Sequence, residues 1–498
     1  MKYAFLHPVL AMPRLVLFLV VISSCLLAYY FRALSSLPSA SDPLRLQAVI
    51  QDWHIFYHLG GYSPWIKHQT STISTLPSQC VVDQVHMLSR HAERYPTRSV
   101  GIKMKSLITK LKASGASVLP FLENWEEFFE VDEDGKSIDL EELTREGKYA
   151  GLRQAYNCGV KLRDRYDNLV DRVDKGENKT FSIFSCSCSR VLHTAENFAL
   201  GFFKEDELFA NVRHVIIPDV APQRGADTLT PVKACLRYRQ DPEKGRSRGH
   251  VLSEQFKSVY LSRASNRLRS QFDYDFSVSD LWYMQELCGF EILATGNEES
   301  PWCGIFTQRE WEEFAYARDL LHYYRSGPGT PYSAVMGFLY LNATREVLEL
   351  GPEKAGKLFF SFAHDGDIVP LVGTLGLFPE VEPLPPTHVP DNRNWKLSSV
   401  VPMGGRIIFE RVSCASNIGA RRIGVRILVN DGVVQVPGCQ AETSDGGICP
   451  LDVFVKLVDQ KGEEVGQFDE VCGLNEGLGR RPSFLRQDWE RRPGRVQL

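Results

Sequence analysis

Charge of one sign is what this chain most plainly lacks: 57 Lys and Arg stand against 61 Asp and Glu in 498 residues, a formal net charge of -4. Tracking a nucleic-acid backbone requires a strongly basic face, so no nucleic-acid partner is expected, and an anionic substrate must be met by a local cluster. No C-x-x-C pair occurs, which removes the usual zinc-knuckle framework; no metal or cofactor is implied. There is no internal repeat and no long low-complexity tract. With 43% hydrophobic and 11% aromatic residues, the composition is that of a packed globule of one large or two medium domains rather than a disordered chain.

Lys2 and Arg14 precede an apolar run from Leu15 to Phe31 that closes on Arg32, the pattern of a secretory insertion signal. The run is short for a bilayer span, longer than most signal-peptide cores, and not followed at once by an A-x-A site. A signal anchor at residues 15–31 is favoured over a cleaved peptide, and positive charge ahead of the run directs the remainder to the lumen or the outside, membrane-tethered or secreted. Sequons at Asn178 and Asn342 and eleven cysteines beyond Cys25 agree with that compartment. An odd number leaves at least one cysteine unpaired. Cys186 and Cys188 are badly placed for a shared bridge, because two residues apart on a strand they share a face and a direct bond would strain the backbone.

Residues 1–44 are read as the signal segment with a short Ser/Pro-rich stalk, and 45–498 as one folded unit. Within it, Val81 to Leu88 has the apolar, β-branched character of a strand that empties into the polar run Ser89–Thr97, and Leu107, Ile108 and Leu111 then share one helical face. The same grammar returns near the other end: Lys357 to Ala363 is strand-like, His364-Asp365 follows, and Ile368 to Leu375 continues as a helix. In open α/β sheets ligands gather beyond the carboxyl ends of strands, so the two junctions are placed to share one site. Arg213 to Val220 and Arg422 to Val429 are strand-like, while Glu141 to Tyr166 and Trp311 to Tyr324 are helix-rich. The fold expected is α/β, a predominantly parallel sheet with helices on both faces, with core segments at about 45–110, 180–230 and 350–475 and a helical insertion at about 111–179 and 231–349. The acidic stretch Glu130–Glu142 has its glycine misplaced for a calcium loop and is read as a solvated face; the arginine-rich end, 476–498, is read as a solvated tail.

Arg90-His91-Ala92-Glu93-Arg94 sets two guanidinium groups around one imidazole, and the planar fork of Arg matches phosphate oxygens. A surface salt-bridge cluster built on Glu93 is the competing reading of these five residues. His364-Asp365 offers an acid beside a second phosphate donor.

Arg90–Thr97 resembles the R-H-G-x-R-x-P-T signature of the histidine acid phosphatases, the group that includes fungal phytases and yeast-type acid phosphatases. Ser189-Arg190-Val191 with Thr194-Ala195 and Phe198 is similar to that family's middle arginine segment, and Ala363-His364-Asp365 to its catalytic H-D. Tyr57–Gly61, Ser300–Cys303 with Phe306-Thr307, and Val429–Asp431 also resemble the fungal branch, so the likeness runs from Trp53 to Cys472. It implies a phosphate monoester substrate, His91 as nucleophile, Asp365 as proton donor, and Arg90, Arg94, Arg190 and His364 as phosphoryl ligands. It implies disulfides Cys80–Cys414, Cys235–Cys472, Cys288–Cys303 and Cys439–Cys449, leaving Cys158, Cys186 and Cys188 free. An acid optimum follows, since guanidinium charge keeps His91 unprotonated in acid while Asp365 must hold a proton. Two positions depart from the pattern. Ala92 stands where the signature has glycine, a cost to catalysis if that site needs a positive φ or close phosphate approach, and the alternative it opens is a membrane-tethered homologue that binds phosphate with impaired turnover. Val100 stands where some phytases carry lysine, which favours a broad phosphomonoesterase over a phytase or inositol polyphosphate phosphatase unless Arg98 compensates. A homodimer is permitted and not demanded.

Overall fold

An eight-stranded sheet organises the chain in the computed structural model, which describes residues 53–67, 75–115, 118–170, 181–204, 212–219, 224–415, 421–439, 446–475, 478 and 481–486. Its strands are β1 (Cys80–Arg90), β2 (Phe181–Cys186), β3 (Val212–Ile217), β4 (Leu358–Ala363), β5 (Arg406–Cys414), β6 (Arg422–Val429), β7 (Gly432–Val434) and β8 (Cys449–Pro450). The order is β3-β2-β4-β1-β5-β6-β7, with β8 also on β6. β3, β2, β4 and β1 are mutually parallel; β5 turns antiparallel to β1, and β6 reverses again. Five of the eight strands therefore run one way. β4, Leu-Phe-Phe-Ser-Phe-Ala, is buried at every position, as a parallel strand covered on both faces must be. Asn430 and Asp431 adopt φ of 47° and 63° and turn β6 into β7, the left-handed pair that a two-residue hairpin requires.

The longer helices are α1 (Arg98–Ala113), α2 (Gly151–Tyr166), α3 (Ser189–Phe202), α4 (Arg248–Phe272), α5 (Val278–Thr295), α6 (Gln308–Arg325), α7 (Ser333–Leu350), α8 (Asp365–Thr374) and α9 (Leu451–Val465). α2 and α3 cover one face of the sheet, where Leu162, Tyr166, Val191 and Phe198 meet Val85, Met87, Ile183 and Phe360. α7, α8 and α9 cover the other, with Leu341, Ile368 and Phe454 against Phe184, Phe359 and Phe409. α2 and α7 fall in stretches that the sequence pattern assigned to the insertion, yet both pack on the sheet. Their apolar faces are the reason, and in α2 a Cβ at Gly159 would lie 2.2 Å from the carbonyl oxygen of Phe198, so the bare glycine sets the close approach to α3. The acidic and polar run ahead of α2, residues 141–150, is not helical.

Four disulfides, Cys80–Cys414, Cys235–Cys472, Cys288–Cys303 and Cys439–Cys449, are the pairs that the family resemblance implies. Cys158, Cys186 and Cys188 are free thiols. Cys186 ends β2 and Cys188 caps α3, so they do not share a strand face. Asn178, the apolar run at 15–31 and most of the basic tail lie outside the described residues. Asn342 sits inside α7, half-buried, with Thr344 of its sequon fully buried. Among the described residues no helix is long and apolar enough to cross a membrane.

Candidate active site

Arg90 is the last residue of β1 and pairs in register with Ala363, the last of β4. The next residue on each strand is then His91 and His364, and the amide of His91 donates to the carbonyl of Ala363 at 3.1 Å. Their rings lie edge to face with centroids 5.8 Å apart. Arg190 enters from the first turn of α3, beyond the carboxyl end of β2. Three adjacent parallel strands thus deliver the motif residues to one place, the position the fold class dictates.

The loop after β1 is tied down at nearly every residue. Gly404 N–H donates to His91 O at 2.9 Å, Thr144 N–H to Glu93 O at 3.0 Å, and Tyr95 N–H to Glu142 O at 3.0 Å. Thr194 Oγ1 on α3 accepts from Ala92 N–H at 3.0 Å while donating to the Arg190 carbonyl at 2.7 Å. A Cβ at Gly151 would lie 1.9 Å from Glu93 O, so α2 abuts this loop through a bare backbone. Glu93 is buried, accepts the Trp65 amide at 3.0 Å, and burial lifts its carboxyl to about 7 against that amide's pull. The five-residue cluster is therefore not a surface salt-bridge patch.

Nδ1 of His91 lies 2.9 Å from the carbonyl oxygen of Ala92. A carbonyl only accepts, so Nδ1 carries the proton and Nε2 keeps the lone pair. Burial first, then the guanidinium groups of Arg90, Arg190 and Arg94, hold the His91 imidazole well below its usual range. His364 is brought down to about 3 by burial, Arg190 and Lys233. Arg90 is fully buried; its Nη1 donates to Gly61 O at 2.6 Å and Val401 O at 2.8 Å, and its Nη2 lies 3.1 Å from Asp365 Oδ2. Burial alone would raise the Asp365 carboxyl, but Arg90, with His322 and Arg325, outweighs it and holds Asp365 well below the ordinary range. Nε of Arg90, Arg94 and Arg190 is buried without a hydrogen-bond partner among the described residues. Buried guanidinium N–H groups left without a partner are costly unless an anion completes them.

His91, Arg94, Arg190, His364 and Asp365 open into a cavity of about 720 Å³, lined by nine Lys and Arg side chains and four carboxylates; Arg90 stands behind that lining and reaches it through Asp365. Val100 and Lys103 line it from α1. Arg98 does not; it is exposed, its Nη2 3.5 Å from the Asp134 carbonyl. Sequence reading missed the far wall. Its signal was present as two helical stripes at i, i+4, i+7: His250, Glu254 and Lys257 on α4, and Arg318, His322 and Arg325 on α6. The acidic stretch also reaches the site, where Glu141 lies 3.7 Å from Arg190 and Glu142 accepts from Ser189 at 2.5 Å.

Ala92 does not carry the backbone cost foreseen for a side chain there. Among the described non-glycine residues, positive φ occurs at Glu141, Asp273, Phe378, Asn430 and Asp431, not at Ala92. Its methyl packs with Leu143 and Ala155 and borders a separate cavity of about 120 Å³ behind the loop.

The model of the histidine phosphatase superfamily (branch 2) matches residues 81–430. The chain belongs to that superfamily. Among histidine phosphatase relatives, it is 32% identical to a phytase of Candida albicans over 89% of this chain and 92% of that one. It is 31% identical to an acid phosphatase of Komagataella pastoris over 86% of this chain and 88% of that one. The crystal structure of the phytase from D. castellii superposes with a TM-score of 0.79 at 28% identity, covering 93% of this chain and 96% of that one.

Proposed function

We propose that this histidine phosphatase is an acid phosphatase that hydrolyses phosphate monoesters through a phosphohistidine on His91. The observation that carries the reading is the unprotonated Nε2 of His91 beside the guanidinium groups of Arg90, Arg94 and Arg190, whose buried Nε–H groups lack partners among the described residues. Arg90, Arg94, Arg190 and His364 hold the phosphoryl oxygens and offset the charge that spreads over them in transfer. Nε2 forms a bond to phosphorus as the ester bond breaks, and Asp365 gives its proton to the leaving oxygen. Water then attacks the phosphohistidine, Asp365 takes the proton of that water, and inorganic phosphate leaves with His91 restored.

The Arg90–Asp365 pair adds something the sequence did not convey. Beside Arg90 the Asp365 carboxyl is held well below its ordinary range, so it must gain its proton as substrate binds. The phosphoryl group brings negative charge beside it and competes for Arg90, which lifts the carboxyl toward protonation, and an acid medium completes the change. Hydrolysis of an aryl phosphate with chelator present, in the wild type and in His91→Ala, tests the reading. Acid-favoured turnover that survives chelator and disappears in the variant supports it; full turnover in the variant overturns it.

The cavity favours a second reading of the substrate. Nine cationic side chains exceed what one phosphate needs, and Lys103, Lys257, Arg318 and Arg325 are arranged to receive further phosphates of a polyphosphorylated substrate such as phytate. The ratio of kcat/KM on phytate to that on a simple aryl phosphate decides between them. Four disulfides support passage through the secretory pathway, with the segment at 15–31 as its signal.

A further inference from the structure

Beside the phosphate cluster, three neighbouring strands present a second, mixed set of side chains. Cys186 ends β2, His364 follows β4, and Asp219 follows β3, so the carboxyl ends of the adjacent strands β3, β2 and β4 each contribute one. Cys186 Sγ lies 3.6 Å from His364 Nε2, and the three candidate ligand atoms all fall within 4.8 Å of one another. A zinc ion bonded to sulfur at about 2.3 Å and to imidazole nitrogen at about 2.0–2.1 Å in tetrahedral geometry separates those two atoms by about 3.5–3.6 Å. The carboxylate is already oriented: Asp219 Oδ1 accepts the Ser187 amide at 3.2 Å and Oδ2 faces Lys233 Nζ at 2.5 Å, the kind of outer support that ligating carboxylates carry. Cys186 is fully buried and has no disulfide. His364 and Lys233 line the large cavity, so the cluster sits in its wall.

We infer that Cys186, Asp219 and His364 form an inhibitory site for a soft divalent cation of the zinc class, whose occupation withdraws His364 from the phosphate. On binding, the Cys186 S–H bond breaks, its proton passes to solvent, and the sulfur lone pair bonds to the cation; no electron is transferred. Burial otherwise holds that thiol well above its usual range, so the thiolate forms with the cation rather than before it. His364 Nε2 is the nitrogen aimed at Cys186, and a cation there pins the ring against β2. Positions 186, 219 and 364 are far too separated for motif spacing to reveal. The inhibitory half rests on the reading of His364 as a phosphoryl ligand; the cation-binding half does not.

The test uses the full chain, titrated with Co2+ for a thiolate-to-metal charge-transfer band and assayed on an aryl phosphate with and without Zn2+ far below the substrate concentration. The wild type should show the band and lose activity in Zn2+. Cys186→Ser should lose the band, keep its metal-free activity, and need roughly tenfold or more Zn2+ for the same inhibition, since even outer-shell losses cost that much affinity. Asp219→Asn should shift in the same direction. Equal inhibition of the wild type and Cys186→Ser, or absence of the band, overturns the site; a band with no change in activity overturns its coupling to His364. A wild type inactive without metal would instead count against the phosphatase reading, while the Co2+ band still reports on the cation.

Discussion

Ala92→Gly restores the residue of the family signature, and the structure sets what it should do. The methyl is buried among Leu143 and Ala155 and faces the small cavity behind the loop, so its removal forfeits about 0.8 kcal/mol of apolar burial. Glycine also loosens the unfolded chain by about 0.4–1 kcal/mol where the native φ suits alanine. The sum is a destabilisation of about 1–2 kcal/mol, while a methyl that borders the cavity behind the loop rather than the large one predicts a kcat/KM within about threefold of wild type, under 1 kcal/mol of barrier. Urea unfolding and steady-state assays on an aryl phosphate measure both. A gain in kcat/KM of tenfold or more, or increased stability, would refute the reasoning and mean that Ala92 does restrict the reacting centre.

Asp365→Asn should lower kcat on alkyl phosphates by about 10²–10⁴ and much less on aryl phosphates, whose leaving groups need little protonation; equal losses on both would remove Asp365 from the donor role. Thr194→Ala orphans the buried Ala92 amide, so a loss of about 1–3 kcal/mol of stability is expected in urea unfolding, with Thr194→Ser recovering most of it. His86 is fully buried against Phe359 with both ring nitrogens unpartnered among the described residues, and burial holds its imidazole at about 3. Its folded value lies below the unfolded one, so the unfolded chain takes the proton first and stability is lost as pH falls below about 6.5. The difference in unfolding free energy between His86→Phe and wild type should therefore move in favour of the variant by about 2–3 kcal/mol from pH 6 to pH 4; no change with pH would contradict the burial of a neutral His86.

What could be read before folding was whatever sits in contiguous sequence. Val81–Leu88 and Lys357–Ala363 announced buried parallel strands because both faces are covered, and each motif begins where its apolar run stops. β5 was not read, although Arg406–Cys414 is the strand that turns the sheet antiparallel: its buried Arg406 and Glu410 interrupt the apolar pattern, and their partners are distant in sequence, Asp431 for Arg406 and Arg165 with Arg426 for Glu410. The far wall of the cavity escaped for a similar reason, since its cations come from separate helices and look like ordinary solvated charge until α4 and α6 are set side by side. The Arg90–Asp365 pair spans 275 positions and needed the β1–β4 register to appear. On the proposed mechanism it replaces a preformed acid with one that substrate must help to load.

The most direct test of the account is to quench the wild-type enzyme in turnover with an aryl phosphate and to map the phosphorylated residue by mass spectrometry under alkaline conditions, where phosphohistidine survives. A phosphoryl group on Nε2 of His91, trapped in the wild type and absent from His91→Ala, is the predicted result. Steady turnover with no phosphoenzyme, or a phosphoryl group on any other side chain, would contradict it.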